Sequence, residues 1–403
     1  MAAALAGVLL AACTGPAHNP NPRPQVTIGL LAALSGPSRP VGQEAERGAE
    51  LAAVVVNQAG AVPPPLGGAV GLGGATLRIV SADSAADPNR AADQAARLVT
   101  AQHVVGLVGA DTDATVTAAA SERTERLGVP LVAATASASY LTERGMDWFF
   151  RTGPSDRLLA EACLAMLDQM RDQTGGHGLR RLGIVHANDA ASNDTATAVQ
   201  TLAGEAGDQI AATTVFQAGD VRSAVRQVRA RQPAAVLAAA TRPADATALL
   251  ATGALAGGGS PVTIAIGAGF APQTIQQVIG PADAGVLRSA VWSRDFAGRN
   301  PAASAVAALY AQRFDAPMTE TAAEAFTATL TLAQAIGTAR SADPQQVRTA
   351  LLGLDIPGRD TIMPWGGIRF DQTGQNVRAA GLVERVARNG AHVVFPRELA
   401  TGT

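Results

Sequence analysis

Lysine is missing from this chain: all 31 basic residues other than histidine are arginine. That absence excludes a Walker A phosphate loop, a Schiff-base lysine and every Ser–Lys hydrolytic pair. Cysteine is nearly as scarce, with only Cys13 and Cys163. Two residues cannot build a disulfide framework if the first has another use. Cys163 lies in the apolar run 158–167 and reads as an inert core residue. His18, His103, His177, His186 and His392 are scattered, with no helical pair and no Cys–His spacing, so no metal site and no cofactor is expected. The formal net charge of −2 leaves no electrostatic footprint for nucleic acid or anionic lipid. Neither a Gly-x-Ser-x-Gly elbow nor a plausible Cys–His pair is found, so the sequence offers nothing in favour of an enzyme.

Long hydrophobic runs are lacking as well. The N-terminal apolar run ends at Ala12, twelve residues into the chain, whereas a membrane span takes ~20 apolar residues. A short apolar run closed by small residues has the form of a secretory signal. Leu10-Ala11-Ala12-Cys13 resembles the lipobox of bacterial lipoproteins, in which the cysteine is acylated and becomes the new N-terminus. Residues 1–12 are therefore expected to be a signal peptide, and 13–25 a lipid-anchored, proline-rich, semi-rigid tether. The competing reading is an Ala-rich N-terminal helix with a buried Cys13. No basic residue precedes the apolar run, which places the expected translation start upstream. Membrane association would come through the lipid anchor alone.

The whole chain is 47% hydrophobic and only 16% charged, the composition of a well-buried globular protein. Its length points to two domains or lobes. Short continuous apolar runs at 26–34, 76–81, 104–109 and 129–134 predict buried strands of a parallel sheet. Helical patterns at 44–57, 89–102 and 112–127 separate them. The rhythm resumes with strands at 182–186, 210–216, 235–240, 262–266 and 286–292 and helices at 156–171, 192–206, 221–231, 244–255 and 272–279. Repeated βα units build parallel sheets with right-handed crossovers. The fold class is therefore α/β, with two doubly wound parallel-sheet lobes. Residues 63–74 read as a Pro/Gly-rich surface insertion. Helices at 300–314, 320–339 and 345–354, followed by short strands at 366–371 and 382–386, describe a chain returning to a lobe it had left.

Several segments, taken in order, give this chain a family resemblance. They are Ile28 to Pro37, Asp83 with Asp87-Pro88, Val104 to Gly109, Arg151-Thr152-Gly153-Pro154-Ser155-Asp156, and Gly367-Ile368-Arg369-Phe370-Asp371 with Gly374. Together they resemble the type I periplasmic binding proteins, specifically the branched-chain amino-acid receptors of ABC transporters, over residues 26–395. That resemblance implies three crossings, near 151–154, 292–295 and 372–378. Lobe one would comprise 26–152 plus 293–375, and lobe two 153–292 plus 376–397. Ligands of open α/β sheets bind beyond the carboxyl ends of the strands, so the site is expected between the lobes.

The resemblance also implies site residues. The family holds a ligand carboxylate with hydroxyls and backbone N–H groups of lobe-one loops. Val132-Ala133-Ala134-Thr135 matches its Ala-Ala-Thr segment, giving Ala133, Ala134 and Thr135, and the loop after the first strand adds Ser35. Thr135 reads equally as a plain loop hydroxyl. Asp113 stands where the family has Ser or Thr and reads also as a helix N-cap. Ala191 occupies the place of an aromatic wall, and Gly269 that of the acid for the ligand ammonium. Asp189, Thr241 and Arg242 offer substitute polar contacts on lobe two, or are solvated loop residues. Gly267-x-Gly269 also begins like a dinucleotide fingerprint, but Pro272 replaces its third glycine.

The implied function is an extracytoplasmic solute-binding lipoprotein that delivers a small polar ligand, such as an amino acid or amide, to an ABC importer. Its expected partners are that ligand and the permease subunits, the expected state is a monomer, and no nucleic acid is involved. The alternative is a ligand-sensing subunit for a signalling partner.

Overall fold

A computed structural model of the chain describes residues 24–64, 66, 72–173, 179–217, 219–255, 261–279, 285–387 and 390–401. The expected signal peptide, Cys13 and nearly all of the expected tether fall outside the described residues. No helix among those residues is long and apolar enough to cross a membrane.

Two sheets organise the molecule. The first takes β1 (Gln25–Ala32), β2 (Thr76–Asp83), β3 (Leu107–Gly109), β4 (Leu131–Ala133) and β5 (Phe149–Arg151), all parallel, in the order β2-β1-β3-β4-β5. The second contains β6 (Arg181–Ala187), β7 (Gln209–Phe216), β8 (Ala235–Ala239), β9 (Val262–Ile266) and β10 (Val286–Ala290). Its parallel part repeats the same winding, β7-β6-β8-β9-β10. It is completed by β13 (Leu382–Ala387) and β14 (Gly390–Phe395), an antiparallel pair added beside β10. The second sheet is therefore mixed rather than wholly parallel. A small pair, β11 (Ile356–Pro357) and β12 (Gly367–Ile368), stands apart.

Strands β3 and β4 are shorter than their apolar runs, but the ladder continues before β3: Val105 N donates to the Thr27 carbonyl at 3.0 Å. Helix starts follow local chemistry. The Asp87 carboxylate caps Pro88–Thr100 by accepting from Arg90 N at 2.8 Å, and Asn300 caps Pro301–Phe314 by accepting from Ala303 N at 2.9 Å. Both helices open with proline in the first turn, where the missing N–H costs nothing. The first helix, Arg39–Asn57, starts five residues before its periodic pattern because Pro40 also suits a first turn. Pro243–Leu250 stops five residues before its expected end. Cys163 is fully buried in the core.

Helix Glu320–Ala339 is the axle of the first lobe. Thirteen of its twenty residues are buried, most of them Ala or Thr, so neighbours approach closely. Its neighbour is Arg39–Asn57. There a Cβ on Gly48 would stand 2.2 Å from the Ala322 carbonyl oxygen. Gly48→Val is expected to force the helices apart and cost about 1–3 kcal/mol, read as a lower urea midpoint at unchanged slope. An unchanged midpoint would mean that the contact yields freely.

Candidate functional site

The carboxyl ends of β4, β9 and β10 converge on a cavity of about 440 Å³. From the side of the first sheet it is lined by Thr112, the loop Ala134 to Ser137, and the helix start Thr319, Glu320 and Glu324. From the other side come Gly267, Ala268, Gln273, Gln276, Arg288 and Ser289, with Trp292 just beyond the end of β10.

Of the residues expected in the site, Ala134 and Thr135 line this cavity. Thr135 is 8% exposed, and its Oγ1 finds no hydrogen-bond partner among the described residues. Burying a hydroxyl without a partner costs free energy, so this oxygen is a local cost in the structure as it stands. Ala133 lies one residue too early, inside β4, where its carbonyl accepts from Thr152 N at 3.2 Å.

The remaining expected residues lie outside the cavity lining, each for a visible reason. Ser35 Oγ donates to Asp83 Oδ2 at 2.7 Å, completing a carboxylate that also accepts from Leu34 N and Arg90. Asp113 caps helix Ala114–Leu127, accepting from Thr115 N at 2.8 Å and from Thr115 Oγ1 at 2.6 Å. Asp189 caps Ala190–Glu205, accepting from Ser192 N at 2.9 Å. Ala191 is buried in one apolar cluster with Ala133, Ala136 and Ala138, so it touches the opposite lobe rather than a ligand space. Thr241 is half-buried at the end of β8, and Arg242 is bound to Asp245 at 2.7 Å. At Gly269 a Cβ would meet the carbonyl oxygens of Arg242 at 2.7 Å and Ala240 at 2.8 Å. The loop after β9 therefore has no room for an acid there.

Charges not singled out in the sequence dominate the cavity instead. Arg288 of β10 is 2% exposed and bridges Glu320 at 2.8 Å and Glu384 of β13 at 2.9 Å. Burial works against its charge, but the two carboxylates outweigh burial and hold it protonated. Glu320 also accepts from Val291 N. Glu324, one helical turn on, has no hydrogen bond or ion pair among the described residues. Its pKa lies well above the ordinary value, chiefly through burial, then through the charge of Glu320, with Arg288 opposing. These residues left a trace in the sequence: Glu320 and Glu324 are the only charges in a twenty-residue helix, and Arg288 is the only one in its strand.

Beside the cavity, the chain makes two of its passages between sheets side by side. Arg151 N donates to the Gly374 carbonyl at 2.8 Å, and Asn376 N donates to the Arg151 carbonyl at 3.1 Å. The Arg151 side chain is wholly buried and donates to Gln375 Oε1, the Ala138 carbonyl and Thr142 Oγ1. Next to it, Asp156 is 1% exposed, and burial, then the nearby Asp194, lift its pKa to about 7 against the pull of Ser137 and Arg151. Asp194 accepts from Ser139 N at 2.7 Å, joining helix Ala190–Glu205 to the loop after β4.

A family model described as "Periplasmic binding protein" matches residues 25–391. The Leu/Ile/Val-binding protein homolog 7 of Brucella abortus is 24% identical over 365 residues, covering 88% of this chain and 87% of that protein. Homolog 8 of the same organism is 26% identical over 386 residues, covering 93% and 91%. The crystal structure of a leucine binding protein from Thermotoga maritima superposes with a TM-score of 0.73 at 19% identity, covering 91% of this chain and 97% of that one.

Proposed function

Because the chain belongs to the periplasmic binding protein family, we propose that it captures a small polar solute between its two lobes outside the cytoplasmic membrane and delivers it to an ABC importer. The observation that carries this reading is the cavity of about 440 Å³ between the two sheets, lined on one side by the Ala134 to Ser137 loop and on the other by the loop after β9 and the end of β10. Its size suits a molecule of amino-acid dimensions. The names of the Brucella relatives favour amino acids as the first solutes to test. In this reading lobe one is 26–152 plus 293–375, lobe two is 153–292 plus 376–397, and a lipid on Cys13 anchors the protein. The solute bridges the lobes and shifts an open–closed equilibrium by its differential affinity for the two forms. No bond in the solute is made or broken.

A thermal-shift screen of amino acids, amides, small carboxylates, aromatic acids and polyols tests this. A solute at a hundred times its dissociation constant is expected to stabilise the fold by ~2.7 kcal/mol. Thr135→Ala is expected to weaken that solute roughly tenfold or more, the loss of a hydrogen bond to a charged group. A screen without hits, or a Thr135→Ala affinity within twofold of the parent, would count against the cleft.

A further inference from the structure

We infer that Asp156 and Asp194 form a proton-operated clasp between the two lobes. One shared proton holds the loop after β4 against the helices that carry these residues, and its loss lets the loop lift. The clasp is additional to solute capture and rests only on the lobe movement that the proposed function includes.

Helices Asp156–Gln173 and Ala190–Glu205 lie side by side on the second sheet. The loop between β4 and β5 of the first sheet is seated across their starts by three bonds. Asp156 N donates to the Ser137 carbonyl at 2.6 Å, Arg157 N donates to Ser139 Oγ at 3.2 Å, and Ser139 N donates to Asp194 Oδ2 at 2.7 Å. Ala191 shares one apolar cluster with Ala133, Ala136 and Ala138, so small side chains let loop and helix touch directly.

The two carboxyl groups meet beneath this contact. Asp156 is 1% exposed, and its Oδ2 has no hydrogen-bond partner among the described residues. The Asp194 carboxyl lies within hydrogen-bonding reach of Asp156, as does the Ser137 side chain. Two bare carboxylates only repel, whereas a proton on one makes it a donor to the other.

The surrounding charges offer no substitute for that proton. Arg151 of β5 faces both carboxyls, but its hydrogen bonds go to the Ala138 carbonyl, Thr142 Oγ1 and Gln375 Oε1, and Glu143 and Asp371 also act on it. Tyr140 of the loop faces both as well, with Asp113 and Arg144 beyond it. Arg157 is paired with Glu161 and Glu205, each at 3.2 Å. With the lobes together, burial and the neighbouring Asp194 keep the Asp156 proton up to about pH 7; with the loop lifted, water returns Asp156 towards the ordinary 3.8. Closing therefore takes up a proton between those values, and the clasp weakens by up to about tenfold for each pH unit on the way up.

Hydrogen exchange of the purified full chain, with no solute added, reads the clasp at residues 137–142, with rates at pH 5 and pH 8 corrected for the intrinsic pH dependence of exchange. Protection of this segment is expected to fall about tenfold or more from pH 5 to pH 8. Asp156→Asn, whose amide donates to Asp194 at either pH, is expected to keep the protection equal at both. Asp194→Ala, which removes the acceptor for Ser139 N, is expected to lose it at both. A variant that no longer melts cooperatively is replaced by Asp194→Asn, which carries acceptor and donor together and is expected to behave as Asp156→Asn does. Equal protection of the parent at the two pH values, or a fall that persists in Asp156→Asn, overturns the clasp. A solute that binds a chain with pH-independent protection leaves capture standing and the clasp fallen. A pH-dependent clasp in a chain that takes no solute leaves the reverse.

Discussion

Replacing Arg288 by methionine is expected to cost the fold about 3–5 kcal/mol, because it leaves the buried carboxylate of Glu384 and the half-buried one of Glu320 without their shared cation. Glu384 is 1% exposed, and Glu320 would keep only its bond from Val291 N. The loss is a statement about what remains, not about the strength of the pair. A buried ion pair replaced whole by apolar side chains is often neutral or better. Adding Glu384→Leu to Arg288→Met is therefore expected to recover a large part of the deficit, a result that a simple loss of packing would not give. Urea unfolding at neutral pH reads both variants. A single-variant cost below about 1 kcal/mol would mean that water reaches these carboxylates, as it does for surface pairs. Since Glu320 stands on the first lobe and Arg288 on the second, the same variant is also expected to loosen the region where the chain crosses.

Arg151→Met is expected to cost a similar amount, about 3–5 kcal/mol at pH 8, and to depend on pH in a defined sense. The guanidinium satisfies the buried Ala138 carbonyl and Thr142 Oγ1 and the half-buried Gln375 Oε1, and its removal leaves the first two without that donor. It also counters the charge of Asp156 and Asp194. Asp156 ionises near 7 in the folded protein and near 3.8 as an ordinary aspartate. Between those values the native state holds more protons than the unfolded chain, so this residue lowers stability as pH rises from about 4 to about 7. Without Arg151 its pKa climbs further, and the penalty at pH 8 grows. Near pH 4 the carboxyl is largely protonated in the native state with or without the arginine, so the variant's deficit shrinks there. Chemical denaturation at pH 8 and pH 5 checks the sign: a deficit larger at pH 5 would show that the arginine does not serve this pair.

The winding of both sheets was legible because parallel strands covered on two faces read as continuous apolar runs, and 262–266 was located to the residue. Strand β5, at three residues, is too short to show a period. The edge pair β13–β14 runs against the βα rhythm and carries no helix between its strands to announce it. The site divides in the same way. Thr135 was readable through the resemblance, because Val132-Ala133-Ala134-Thr135 matches the family's Ala-Ala-Thr segment at the end of an apolar strand. Asp113 and Asp189 were ambiguous for a physical reason: a carboxylate before a helix serves the helix N–H groups as readily as a ligand, and here both serve the helix. Glu320 and Glu324 sit in a helix whose pattern reads as core. Only the fold shows that its first turns leave the core and open onto the cavity.

The pairing of Arg151 with Gln375 has a mechanical meaning. Three separate ropes between two bodies would restrain them at three points and leave no easy rotation. Here two of the ropes are zipped into one ribbon beside Arg151 and Gln375, and the third follows β10, so the chain pins the bodies at two points. Two points define a line, and a line permits a single swing, like a door on its pins. Both buried charge clusters lie beside those pins: Arg151 with Asp156 at one, Arg288 with Glu320 at the other. Groups near an axis travel little when a door turns. Their bonds therefore change length least during the swing and serve as bearings. Farther from the line, the bond from Ser139 N to the Asp194 carboxylate at 2.7 Å also joins the two leaves, and a swing lengthens it most.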